Sequence, residues 1–96
     1  MFEIEAPAAG QVLFRGRLDA AQAPKAEAFL EGLEGDLVID LSALEYISSA
    51  GLGVLLKTHK QLTGRGGALK LVKVTNHIAD IFKYSGFDRL FTIELA

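Results

Sequence analysis

Apolar residues recur at helical spacing in three separate stretches of this chain, and each stretch is followed by an apolar run too short for a helix. Ala26, Phe29, Leu30 and Leu33 take the i, i+3, i+4, i+7 positions of a first helix, while Lys25, Glu27 and Glu31 point elsewhere. Leu52, Leu55, Leu56, His59 and Leu62 mark one face of a second helix, with Lys57, Lys60 and Gln61 on the other. Ile78, Ile81 and Phe82 mark a third. Asp36-Leu-Val-Ile-Asp-Leu41, rich in β-branched residues, is expected to be a central strand buried on both faces. Ala68-Leu-Lys-Leu-Val-Lys-Val74 alternates as a strand does, and Leu90 to Leu95 supplies a last one. Repeated strand–helix alternation requires a sheet with parallel pairs, because a parallel neighbour is reached only through a crossover.

Ahead of this alternation, Phe2, Ile4, Val12 and Phe14 alternate with other residues on either side of Pro7 to Gly10, the pattern of two strands joined as a hairpin. In Gly16-Arg-Leu-Asp-Ala-Ala-Gln-Ala-Pro24, Asp19 can cap the first helix, and Pro24 is tolerated only near its first turn. Gly32 and Gly35 close that helix, Gly64-Arg-Gly-Gly67 ends the second, Asn76 caps the third and Gly86 stops it. The expected fold class is α/β, in the order β-β-α-β-α-β-α-β, with a central mixed β-sheet and crossover helices. A chain of 96 residues buries one core and hardly two, so a single domain over residues 1–96 is expected.

The 10 basic and 12 acidic residues are spread along the chain, without the clustered Lys and Arg that a phosphate backbone attracts, so nucleic acid is not expected as a partner. The absence of cysteine excludes disulfides and thiolate metal sites, and the histidines, His59 and His77, lack ligand-spaced companions; neither a metal nor a cofactor is expected. Met-Phe-Glu-Ile-Glu has no basic-then-apolar character, and no apolar run approaches the ~20 residues that span a bilayer. A soluble, unprocessed, cytoplasmic protein with no membrane partner is the expectation.

Ser48 and Ser49 fall where the second helix should emerge from the loop after the central strand, the side of an open α/β sheet on which functional groups gather. A serine there can cap the helix, and the first turn's unpaired amides carry roughly half a positive charge. A phosphate added at that point, with about −1.5 to −2 charges, is electrostatically favoured. Ala50, Gly51 and Gly53 would keep the surface low enough for a partner to reach the hydroxyls. A plain structural cap has the same appearance, so the residues alone leave both readings open. Asp40, at the expected strand end, could orient the serine loop or be solvated.

Asp40-Leu-Ser42 and Tyr46-Ile-Ser-Ser-Ala-Gly-Leu-Gly-Val-Leu-Leu56, with Gly16-Arg-Leu-Asp-Ala20 before them and Ile81-Phe-x-x-Ser-Gly-Phe87 after, closely resemble the STAS domain of bacterial anti-sigma factor antagonists. The resemblance runs from about Gly10 to Leu95. It implies a partner switch. The unphosphorylated antagonist binds an anti-sigma factor that is also a serine kinase and so frees the sigma factor; phosphorylation releases it, and a phosphatase of the PP2C type restores it. In the family pattern Asp-Ser-(Ser/Thr)-Gly-Leu-Gly the serine after the aspartate is the acceptor. That position is Ser49 here, with Ser48 in place of the aspartate and as a competing site, and Ala50 in place of the second hydroxyl residue. The implied partner-binding residues are Asp19, Ser48, Ser49, Ala50, Gly51 and Leu52, on a monomer or weak homodimer.

Family members usually continue into a further helix after the last strand, whereas this sequence ends at Ala96. Catalysis by the chain itself is not expected, since Ser49 has no base near it in sequence and neither Gly51-Leu-Gly53 nor Gly64-Arg-Gly-Gly67 has the lysine of a phosphate loop. The alternative use of such a domain is as a non-phosphorylated scaffold subunit of a lipid-transport or stress-sensing complex.

Overall fold

Phe2 and Phe14 meet edge to face with ring centroids 5.2 Å apart, and this pair anchors the N-terminal hairpin. The computed structural model describes residues 1–96. Its hairpin strands, β1 (Phe2–Ala8) and β2 (Gln11–Leu18), are antiparallel, with Ile4 opposite Phe14 and Phe2 opposite Gly16. Gly16 has φ +87°, and a Cβ on it would collide with the carbonyl of Met1, so this glycine is required by both conformation and space. The elements that follow are α1 (Ala23–Glu31), β3 (Leu37–Ile47), α2 (Ser49–Gly64), β4 (Leu69–Val74), α3 (Asn76–Ser85), a 3-10 turn (Phe87–Arg89) and β5 (Thr92–Leu95).

The sheet runs β1-β2-β3-β4-β5, with β2 to β5 parallel. Each crossover advances one strand in the same direction, and crossovers are right-handed, so all three helices fall on one face. That geometry corrects the expectation of a central strand buried on both faces. Leu37, Ile39 and Leu41 of β3 are buried beneath the helices, but Val38 and Asp40 are half-buried and Ser42 is exposed. The core of Phe14, Leu18, Ile39, Leu41, Leu55, Leu71, Ile78 and Phe82 is sealed from solvent. Each such side chain contributes about 1.5–3 kcal/mol by leaving water.

β3 also extends six residues past its expected end at Leu41, to Ile47. Two register shifts against β2 make room for extra residues of β3, one between Asp40 and Ala43 and one between Leu44 and Tyr46. They rephase the strand so that Leu41, Leu44 and Ile47, three apart rather than two, all point into the core. Asp40 holds the first irregularity: its Oδ1 accepts the Ser42 N–H at 2.8 Å.

Four smaller expectations change. Phe29 is 39% exposed, because α1 seats Ala23, Ala26 and Leu30 instead. The N-cap of α1 is Gln22; Asp19 acts just outside it, its Oδ1 accepting the Gln22 N–H at 3.1 Å. Thr75, not Asn76, is the N-cap of α3, and its side chain makes no capping bond. Leu90 is outside the last strand and exposed, because left-handed Gly86 (φ 79°) leads into the 3-10 turn before β5 begins.

Candidate functional site

The C-terminal ends of β2 and β3 meet at one backbone hydrogen bond, Ser48 N–H to the Leu18 carbonyl at 2.9 Å. Beyond it Ser48 stays extended (φ −85°, ψ 172°), as an N-cap must, and α2 begins at Ser49. The Ser48 Oγ accepts the Gly51 N–H at 3.2 Å, and its carbonyl accepts the Leu52 N–H at 2.9 Å. The half-buried Ser48 side chain is thereby occupied with the helix start. Ser49, the first residue of the helix, is exposed, and its hydroxyl takes no part in the cap. The two serines are thus chemically distinct: one oxygen is bound to the backbone and the other faces solvent in the positive field of the helix N-terminus.

Gly51 seats this turn against the sheet. A Cβ there would lie 2.8 Å from Ile47 Cγ1 and 2.8 Å from Leu18 Cγ, so the helix approaches the strand ends more closely than any side chain permits. Gly51 is therefore buried and is no part of a low open surface, and Leu52, 5% exposed, belongs to the core. These two implied partner-binding residues shape the site from beneath. Ala50 and Gly53 are exposed, and the space beside Gly53 is empty to 4 Å. Asp19, directly after β2, is half-buried at the same end of the sheet. The fold thus brings together Asp19, Ser48, Ser49 and Ala50.

Asp40 does not join them. Its bonds run to Ser42 and, at 3.7 Å, to Lys73 on β4, and none reaches the serine loop. Burial pushes its carboxyl up, but the Ser42 backbone and hydroxyl and the Lys73 charge outweigh that and hold it below the usual aspartate value. Lys73 reaches it from a strained backbone, with φ 53°. His59 lies edge-on to Phe91, centroids 5.6 Å apart, with its Nδ1 buried and unpaired, and His77 is exposed. No group of three or more His, Cys, Asp or Glu residues is placed to hold a metal. Shallow grooves of about 260 and 170 Å3, one on the uncovered sheet face and one between the hairpin and α1, are not lined by either serine. No helix is long and apolar enough to cross a membrane.

One pair escaped the sequence reading. Arg17 stands opposite Tyr46 between β2 and β3, its guanidinium 4.6 Å from the ring centre. The signal was present, since each residue lies in a quoted motif, but only the two register shifts bring them face to face.

The chain is similar to known proteins in both sequence and fold. A family model described as "Mlab, STAS domain" matches residues 2–94. BtrV of Bordetella bronchiseptica, by name a candidate anti-sigma factor antagonist, is 39% identical over 83 residues, which cover 82% of this chain and 72% of that protein. The anti-sigma-B factor antagonist of Bacillus subtilis is 33% identical over 86 residues, 86% of this chain and 79% of that one. A crystal structure of an anti-sigma factor antagonist from Mycobacterium paratuberculosis superposes with a TM-score of 0.76 at 25% identity, covering 100% of this chain and 86% of the other.

Proposed function

The chain belongs to the STAS domain family, and from that premise we propose that it is an anti-sigma factor antagonist switched by phosphorylation of Ser49. The unphosphorylated protein binds an anti-sigma factor that is also a serine kinase, and so frees a sigma factor. The kinase transfers phosphate to the Ser49 hydroxyl, the complex separates, and a phosphatase of the PP2C type restores the hydroxyl. The contact face is Asp19, Ser48, Ser49 and Ala50, shaped by the buried Gly51 and Leu52.

The observation that carries this reading is the division of labour at the α2 start: Ser48 Oγ is bound to Gly51 N–H while Ser49 is exposed. An acceptor must present its oxygen to another protein's active site, and Ser49 does so without dismantling the cap. The product is also tolerated by the fold, because the first-turn amides and the helix dipole favour a dianion there. The partner is what the phosphate repels. A dianion placed in a tight, desolvated interface loses its hydration, and a penalty of about 3 kcal/mol lowers affinity more than a hundredfold.

Incubation with the partner kinase and ATP, followed by peptide mass mapping, tests the assignment. Phosphate is expected on Ser49. Phosphate appearing on Ser48 alone would overturn it.

A further inference from the structure

Arg17 and Tyr46 face each other one step before Leu18 and Ile47, the residues that lie beneath Gly51 and, through the Leu18 carbonyl, hold Ser48. Their stack therefore lies at the same end of the sheet as Ser49, with both side chains on the face that the helices leave open, since Leu18 and Ile47 beside them point into the core. Four of the ten Lys and Arg side chains have a carboxylate within ion-pair distance; Arg17 is one of the six that do not, and it is the one whose guanidinium rests on an aromatic ring. The Arg17 backbone is fixed by its N–H to the Met1 carbonyl at 2.8 Å, while the side chain is exposed. A guanidinium resting on a ring has already lost much of its rotamer freedom, yet the donors of its planar fork stay open. That fork matches a carboxylate with two parallel hydrogen bonds.

We propose that Arg17, seated on Tyr46, is the docking contact for an acidic side chain of the protein that covers the Ser49 helix start, and so helps to select that protein. The inference rests on the partner-binding role proposed for that helix start. Charge complementarity supports it. On a chain of net charge −2, an exposed cation at the same end of the sheet draws in a carboxylate and repels a basic surface, while Asp19 two residues on supplies the opposite sign. A partner with an acid and a base at matching separation fits this pattern, and one with two bases does not.

The test measures affinity of the full chain for the serine kinase that binds it, at about 50 mM and about 0.5 M salt, bracketing weak and strong screening. Arg17→Ala should bind at least about tenfold more weakly at low salt, the smallest loss expected when a two-bond contact between charged groups disappears, and the gap should narrow at high salt. Arg17→Glu should bind more weakly still, and Tyr46→Phe should stay near the original affinity because the ring remains. An unchanged affinity and salt slope in Arg17→Ala would overturn the proposal. So would an equal loss at both salt concentrations, which marks a structural role instead. If the unsubstituted chain binds no such kinase, the partner reading fails and takes this contact with it.

Discussion

At the residue scale, the commitment of one hydroxyl leaves the other free. Ser48 stands where the family pattern has aspartate, and both side chains are good N-caps, so the oxygen that accepts Gly51 N–H survives the exchange and only a negative charge is lost. Ser48→Ala should therefore cost about 1 kcal/mol of folding stability, a fall in melting temperature of roughly 4–8 °C for a domain of this size. Ser49→Ala, which removes an exposed hydroxyl outside the cap, should change stability by less than about 0.5 kcal/mol. Thermal melts of the two variants check this, and equal losses would contradict the division. The motif alone singles out Ser49 as the proposed acceptor, but the cap assignment was not legible, because two adjacent serines differ only in the geometry of the turn. Asp40 shows the reverse case: its place at the expected strand end left open whether it orients the serine loop or is solvated, while its bonds fix a bend in its own strand.

At the element scale, the site depends on how closely α2 sits against β2 and β3. Gly51→Ala introduces a methyl 2.8 Å from both Leu18 and Ile47 side chains, so the helix start must shift outward. Overpacking of this kind costs about 1–3 kcal/mol. The expected outcome is a lower melting temperature together with weaker kinase binding, while Gly53→Ala, facing open space, leaves both nearly unchanged. A Gly51→Ala chain as stable as the original would show that the turn has slack it is not expected to have. The helices and their buried faces were largely legible because the 3.6-residue period is long and repetitive. The second half of β3 was not, because a strand rephased twice shows apolar residues three apart, at Leu41, Leu44 and Ile47, and loses the period of two that identifies it. The Arg17–Tyr46 stack was hidden for the same reason.

At the scale of the whole molecule, a sheet laid down in chain order puts every helix on one face and leaves the other open. The alternation of elements foretold the parallel pairs, yet the uncovered face depends on strand order, which periodicity does not encode. Ser49, Asp19 and the Arg17–Tyr46 stack all lie at the end of the sheet where β2 and β3 finish. In the proposed switch, partners exchange through this one small surface without a change in the core, and a phosphate on Ser49 is the signal. The affinities of Ser49→Ala and Ser49→Asp for the partner kinase, measured side by side, test this account most directly. The account predicts that the alanine variant binds like the unphosphorylated chain while the aspartate variant binds at least tenfold more weakly. Equal affinities would contradict the switch and favour a scaffold that is never phosphorylated.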